Sequence, residues 1–224
     1  MTPIESRFQA SRSSGEVSAI LERPDDARWL LVLGHGAGAG MRHRFMEAIT
    51  ATLSTHAIAT FRYQFPYMEK KSGRPDPQPV LLAAVRSAVA AANSAAPDLP
   101  LLAGGKSMGG RMTSLAFAEE ALPNVRGLVF FGFPLHPAGA PSIDRAQHLD
   151  RVTAPMLFLQ GTRDKLASLD LLGPVLDRIG PRATLHVVEE GDHSFAVPKR
   201  SGRSEADVLD ELVQSIIAWT ERLK

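Results

Sequence analysis

The sequence contains no cysteine, and this absence excludes two kinds of chemistry. No disulfide framework can hold the fold together, and no thiol can act as a nucleophile. The absence also fits a reducing compartment, so we expect a cytoplasmic protein.

The sequence also has no large excess of one charge and no long apolar run. Lysine and arginine number 25 against 24 aspartate and glutamate residues, which gives a formal net charge of +1. Without a basic stripe or an acidic tail, neither a nucleic acid nor a membrane surface is expected as a partner. No apolar run approaches the roughly 20 residues that cross a bilayer. Residues 1–7 lack the basic-then-apolar order of a signal peptide.

What the chain does have is a regular alternation of apolar strands and amphipathic helices. Its 224 residues, 44% of them hydrophobic, suit one domain over residues 1–224. The alternation predicts an α/β fold with a mostly parallel, doubly wound sheet and helices on both faces. Strands are predicted over residues 16–22, 29–33, 57–61, 125–131, 155–160 and 184–188, with a further strand beginning at 101. Helices are predicted over residues 44–55, 77–94 and 169–179, from the turn after 106 to about 121, and from 204 onward.

One stretch organises the others: a short buried strand, a turn and a helix, with Gly105, Ser107 and Gly109 in the turn. This Gly-x-Ser-x-Gly spacing is the nucleophile-elbow pattern, which holds a serine exposed on a sharp, strained turn. The neighbours two residues to either side must be small because the chain doubles back on itself. A phosphate-binding P-loop is excluded, because Pro100 stands where that motif needs a glycine.

Two further candidates for catalysis, Asp164 and His193, follow later strands, as Ser107 does. The order Ser, Asp, His along the chain is that of a known class of serine hydrolases. A serine hydroxyl needs a base at neutral pH, so His193 would take its proton and Asp164 would orient and stabilise the imidazolium. Asp192, beside His193, is the alternative acid, and Asp164 could instead only cap the helix that follows it.

A glycine-rich loop, residues 34–40, follows the first buried strand. It fits an oxyanion loop, in which the backbone N–H groups of Ala37 and Met108 would face the reacting carbonyl. It also fits a relaxed dinucleotide loop. There the expected acid is replaced by Arg62, which would suit a 2′-phosphate, so an NADP-binding oxidoreductase is an alternative. A turn shaped by packing alone is the third interpretation, and His35 is expected to brace the loop.

Substrate-binding residues are expected in two segments that follow strands. Residues 62–74 are rich in aromatic side chains and are predicted to be a loop at the edge that lines the ligand crevice. Phe65 is the candidate there, with simple cover of the sheet as the alternative. Leu135 and His136 follow the strand at 125–131. Candidates for contact with a substrate carboxylate, each with a structural role as the alternative, are Arg62, Arg111 and His136.

Six segments carry a family resemblance: residues 34–38, 61–69, 105–111, 134–137, 161–164 and 191–194. They resemble the small α/β-hydrolase proteins of the dienelactone-hydrolase superfamily. Within it they resemble the group of bacterial hydrolase-like proteins and the testis-expressed and NSL-complex α/β-hydrolase-like domains. The resemblance implies an α/β-hydrolase fold and a serine hydrolase mechanism, and it implies little about the substrate. Tyr63 and Gln64 stand where relatives tend to have Phe and Asn.

The leading hypothesis is a serine hydrolase, without cofactor or metal, that cleaves a small carboxylic ester or thioester through an acyl-enzyme. The link between the strands at 125–131 and 155–160 is short where many relatives insert a lid. We therefore expect an open, shallow site without a substantial lid. The second hypothesis is a binding or scaffold module on a retained hydrolase fold. No feature of the sequence predicts the oligomeric state.

Overall fold

The computed structural model describes residues 2–223 and contains eight strands and six α-helices in that range. The strands are β1 (Ile4–Ser11), β2 (Gly15–Glu22), β3 (Trp29–Gly34), β4 (Ile58–Tyr63), β5 (Leu101–Lys106), β6 (Val125–Phe131), β7 (Met156–Gly161) and β8 (Ala183–Val188). The helices are α1 (Arg44–Ser54), α2 (Pro66–Glu69), α3 (Gln78–Ala95), α4 (Met108–Glu119), α5 (Leu169–Ile179) and α6 (Glu205–Thr220).

All eight strands belong to one sheet, in the order β1-β2-β4-β3-β5-β6-β7-β8. β2 pairs antiparallel with β1 and with β4, and the other neighbouring strands are parallel. Side chains along β3 alternate, so that Leu30 and Val32 join one core cluster and Leu31 and Leu33 the other. Helices α3, α4 and α5 cover the first face, and α1 and α6 cover the second. The predicted fold class is therefore confirmed.

The structure differs from the prediction on the β1 side of the sheet. β1 was not predicted, because it is an edge strand in which only Ala10 is buried and the apolar pattern is weak. β4 extends to Tyr63, two residues beyond its predicted end, where it pairs with Ala19 of β2. The segment predicted as a loop contains the short helix α2, which begins at Pro66 as proline favours.

The carboxyl ends of the parallel strands place the candidate residues at one edge of the sheet. Ser107 follows β5 directly, Asp164 comes three residues after β7, and His193 comes five residues after β8. The β6–β7 connection contains one 3₁₀ helix, Asp144–Arg151, and no lid covers this edge in the described part of the chain. No helix within residues 2–223 is long and apolar enough to cross a membrane.

Candidate active site

Ser107 sits in a strained turn between β5 and α4. Its backbone has φ 50° and ψ −113°, which residues other than glycine rarely adopt. Helix α4 lies so close to β3 that a Cβ on Gly109 would be 2.1 Å from the carbonyl oxygen of Gly34. A Cβ on Gly105 would be 2.2 Å from the same oxygen. The glycines of the elbow are therefore required by this close approach.

His193 makes one hydrogen bond with each of its ring nitrogens. Its Nε2 lies 2.9 Å from Ser107 Oγ, and its Nδ1 lies 2.7 Å from Asp164 Oδ2. The Asp164 side chain is fully buried, whereas that of His193 is 25% exposed. A carboxylate at Nδ1 keeps the ring proton on that nitrogen and leaves Nε2 as an acceptor. The arrangement can therefore move a proton from the serine hydroxyl to the imidazole.

Both oxygens of the Asp164 carboxylate accept hydrogen bonds from the protein. Oδ1 accepts a hydrogen bond from the Leu166 N–H at 2.8 Å, and Oδ2 accepts one from Gln160 Nε2 at 2.6 Å. Gln160 is itself fixed, because its Oε1 accepts from the Phe133 N–H at 3.0 Å. These bonds fix the direction of the carboxylate towards His193.

The carboxylate of Asp192, the alternative acid, accepts hydrogen bonds from the backbone of its own turn. Its Oδ1 accepts hydrogen bonds from the N–H groups of Ser194 at 2.8 Å and Ala196 at 3.0 Å. The contact with the His193 ring is made by Asp164. Asp192 therefore shapes the loop that carries His193.

Lys106 ties the elbow to that same loop. Its Nζ donates a hydrogen bond to the His193 carbonyl oxygen. The Nζ also lies 5.4 Å from the centre of the Phe195 ring and 5.9 Å from that of Phe45. Burial lowers the pKa of Lys106 to about 8, against the opposing effect of nearby carboxylates. Lys106 thus holds the histidine loop against the elbow.

The glycine-rich loop is braced by His35 and Tyr67. The buried His35 ring donates from Nδ1 to the Gly36 carbonyl at 2.7 Å and accepts at Nε2 from the Phe65 N–H at 3.1 Å. Burial lowers the pKa of His35 to about 4, so the ring is neutral at pH 7. The Tyr67 hydroxyl accepts from the Gly38 N–H at 2.9 Å. His35 therefore braces the loop, as the sequence predicts.

Two backbone N–H groups near Ser107 have no acceptor. Within residues 2–223, no hydrogen bond is donated by the N–H of Ala37 or of Met108. The loop passes beside Ser107, since a Cβ on Gly36 would lie 3.9 Å from the Ser107 Cβ. Free N–H groups in this position are what a developing oxyanion requires.

Removing the Tyr67 hydroxyl tests this loop directly. In Tyr67→Phe the Gly38 N–H loses its acceptor, so the loop is less firmly held. We expect kcat to fall about 10-fold with little change in KM, and stability to fall by about 1 kcal/mol. Tyr63→Phe is the matched control, because the buried Tyr63 hydroxyl makes no hydrogen bond with the glycine-rich loop, so its removal should leave kcat unchanged. Equal effects of the two substitutions would contradict this role of Tyr67.

Two buried neutral histidines predict sensitivity to acid. Burial lowers the pKa of both His35 and His148 to about 4, from 6.5. Between pH 6.5 and 4 the unfolded chain binds more protons than the folded protein, so stability falls as the pH falls through this window. The loss is about 3 kcal/mol for each histidine. Urea unfolding at pH 7 and pH 4.5 measures this loss of stability. In His148→Gln the difference in stability between the two pH values should be smaller. Equal stability of the wild type at the two pH values would contradict the prediction.

Two predicted substrate contacts, Phe65 and Leu135, are corrected by the structure. Both side chains are fully buried. The Phe65 ring packs against His35 and Tyr63, with centroids 4.9 and 5.2 Å away. The aromatic segment turns inward at α2, which places Phe65 in the core, and Leu135 after β6 belongs to the same core cluster.

Arg62 and His136 are also placed differently from the prediction. Because β4 is longer than predicted, Arg62 lies within the strand, where its buried guanidinium pairs with the Glu22 carboxylate. His136 is 4% exposed, and its Nδ1 lies 2.8 Å from the Pro137 carbonyl oxygen. Each therefore has a partner in the protein, and neither side chain is presented to a substrate.

The dinucleotide interpretation of the glycine-rich loop is disfavoured by the path of the chain. Helix α1 begins at Arg44, ten residues after β3 ends at Gly34. A dinucleotide loop leads directly from its strand into the helix whose N-terminus meets the pyrophosphate. Arg62, which would have met the 2′-phosphate, is paired with Glu22 instead.

Three residues that shape the site were missed by the sequence reasoning: Lys106, Gln160 and Tyr67. Gln160 had a signal, because it is the one polar side chain in the buried strand β7. Lys106 occupies a variable position of the elbow pattern, and Tyr67 lies among several aromatic residues. Neither position has a pattern that marks its contact.

Comparison with known proteins supports the predicted resemblance. The dienelactone hydrolase of Anabaena variabilis is 19% identical over 99% of each chain, with a TM-score of 0.75. The esterase domain of a Rhodothermus marinus protein is 16% identical over 99% of each chain, with a TM-score of 0.73. An α/β serine hydrolase without a lid from Xanthomonas campestris is 17% identical over 98% of this chain and 95% of that one, with a TM-score of 0.74. The sequence profile of the alpha/beta hydrolase domain matches residues 27–221, and the chain therefore belongs to this family of hydrolases.

Proposed function

We propose that this protein is a serine hydrolase that cleaves a small carboxylic ester or thioester through an acyl-enzyme on Ser107. The observation that carries the proposal is the series of hydrogen bonds from Ser107 through His193 to the buried Asp164. Membership of a hydrolase family supports hydrolysis as the reaction. The free N–H groups of Ala37 and Met108 support an acyl substrate, because its tetrahedral intermediate bears an oxyanion.

The reaction has two halves that use the same residues. Ser107 Oγ attacks the substrate carbonyl carbon while His193 Nε2 takes the hydroxyl proton, and the oxyanion is stabilised by the N–H groups of Ala37 and Met108. The intermediate collapses, its C–O or C–S bond to the leaving group breaks, and His193 protonates that group. A water molecule then attacks the acyl-serine. His193 takes the water's proton and returns it to Ser107 Oγ as the acid leaves.

The open edge favours small or exposed substrates. No lid covers it within the described residues, so little apolar surface is available to cover a long acyl chain. A series of p-nitrophenyl esters from acetate to palmitate, with acyl thiocholines beside them, tests this proposal. We expect turnover of the short esters or thioesters, a decline with chain length, and none by Ser107→Ala. Folded protein that turns over none of them would contradict the proposal and favour the binding-module hypothesis.

A further inference from the structure

Among the lysines that the structure describes, Lys106 alone has a side chain that is not exposed. The other described lysines are exposed: Lys70, Lys71, Lys165 and Lys199. The Nζ of Lys106 lies beside two aromatic rings, Phe45 and Phe195, which are nearly parallel with centres 5.8 Å apart. A cation that is taken out of water destabilises the fold unless its partners compensate for the lost hydration.

The partners of this ammonium group belong to the loop that carries His193. Nζ donates a hydrogen bond to the His193 carbonyl oxygen, which accepts from no backbone N–H among residues 2–223. A Cβ on Gly132 would lie 3.0 Å from Lys106 Nζ and 3.4 Å from His193 Nδ1, so the ammonium group lies close to the ring as well. Asp164 and Asp192 are the carboxylates that favour its charge. The charge of Lys106 therefore acts where the histidine ring and its carboxylate meet.

The histidine loop contains a strained residue and so needs contacts that hold it. Phe195 has φ 64°, a left-handed conformation that is costly for a residue with a bulky side chain. Hydrogen bonds to the Asp192 carboxylate hold the turn from within. Lys106 holds it from outside and comes directly before Ser107 in the chain. One side chain thus joins the two segments that must meet for proton transfer.

We propose that Lys106 is a positioning residue whose charged ammonium group holds His193 Nε2 against Ser107 Oγ, so that the reaction is fast only while Lys106 is protonated. This inference rests on the proposed function, since it gives Lys106 a part in the same proton transfer. Lys106 acts through the His193 carbonyl oxygen and does not touch the substrate. A charged donor makes a stronger hydrogen bond than a neutral amine, and only the charged form attracts the faces of the aromatic rings.

The first test is the pH dependence of the wild-type protein. Burial lowers the pKa of Lys106 from 10.5 to about 8, against the opposing effect of Asp164 and Asp192. Helix α1 faces the ammonium group with the Phe45 ring, and the chain after β6 faces it with Gly132, so neither adds a charge. With p-nitrophenyl acetate, and after subtraction of the uncatalysed rate, we expect kcat to fall about 10-fold between pH 7 and pH 9.5. An unchanged kcat over this range would overturn the inference.

Lys106→Met separates a positioning role from a structural one. The methionine side chain fills the space of the lysine stem without its charge. We expect kcat at pH 7 to fall about 10-fold with little change in KM, and the decline above pH 8 to disappear. The urea midpoint at pH 7 should equal or exceed that of the wild type, because a cation is no longer held out of water. A variant that loses stability together with activity, or that does not fold, would show a structural contact and overturn the inference.

Lys165→Met is the matched control for that substitution. Lys165 is exposed and directly follows Asp164, so the change removes the same charge from the same edge of the sheet. It should keep the wild-type kcat and the decline of activity above pH 8. If Lys165→Met behaved like Lys106→Met, the effect would come from the net charge of this edge, and the inference would be overturned.

A second test measures how firmly the histidine loop is held, without turnover. Amide hydrogen exchange over residues 190–197, followed by mass spectrometry, should be about 10-fold faster in Lys106→Met than in the wild type, and unchanged in Lys165→Met. If exchange changes in this way but the wild type hydrolyses no ester, the role of Lys106 in holding the loop is supported and the proposed function fails. If esters are hydrolysed but neither kcat, its pH dependence nor the exchange depends on Lys106, the proposed function stands and this inference is overturned.

Discussion

Replacing Ser107 with alanine is expected to lower kcat/KM for a short activated ester by at least about 10⁴-fold. The hydroxyl that lies 2.9 Å from His193 Nε2 is then absent, so no acyl-enzyme can form. His193→Ala should cost about as much, and the double variant little more, because residues that act in one step are not additive. Steady-state kinetics on the three variants, with unfolding curves to show that each is folded, measures this.

Two aspartates next to the histidine provide a matched comparison. Asp164→Asn keeps the shape of the side chain but alters the hydrogen bond to His193 Nδ1, and we expect a loss of about 10⁴-fold in kcat. Asp192→Asn keeps an oxygen that can still accept from the Ser194 and Ala196 N–H groups, so only a small change is expected. If Asp192→Asn were the more damaging substitution, the assignment of the acid would be wrong.

Adding one methyl group at Gly109 is expected to lower stability strongly. The new Cβ would lie 2.1 Å from the carbonyl oxygen and 2.3 Å from the carbonyl carbon of Gly34. Both are backbone atoms at the end of β3, which pairs with β4 and β5 and cannot move without breaking the centre of the sheet. We expect Gly109→Ala to lose more than about 4 kcal/mol of stability, or not to fold.

Gly73→Ala is the control for that substitution. A Cβ on Gly73 meets no atom within 4 Å, and its backbone does not need a positive φ. Its stability should be unchanged or slightly higher, by less than about 1 kcal/mol. Urea unfolding of Gly109→Ala and Gly73→Ala tests this prediction. Nearly equal urea midpoints for the two variants would show that α4 does not need its close approach to β3.

The sequence was sufficient to predict which groups meet at the edge of the sheet. Ser107, Asp164 and His193 each follow a strand, and the carboxyl ends of parallel strands share one edge. The glycines of the elbow were equally predictable, because the requirement for a residue without a side chain is steric and arises within the turn itself. The backbone fold and the positions of these residues therefore follow from strand-length apolar runs and turn chemistry.

Side-chain direction and partners could not be predicted in the same way. Arg62 pairs with Glu22, 40 residues away, because β2 lies antiparallel beside β4. The sequences of the two segments do not show that these strands are neighbours in the sheet. Phe65 turns inward because of a short helix within a segment that reads as a loop. Lys106 contacts a carbonyl 87 residues away. Such contacts depend on the packing of distant elements, which local patterns do not specify.

The most direct test of the central claim is labelling with a fluorophosphonate probe, followed by peptide mass spectrometry. An activated serine attacks the phosphorus, whereas an unactivated hydroxyl does not. We predict stoichiometric labelling at Ser107 in the wild type, and none in Ser107→Ala or His193→Ala. Folded wild-type protein that remains unlabelled, or is labelled at another serine, would contradict the claim that Ser107 is the nucleophile.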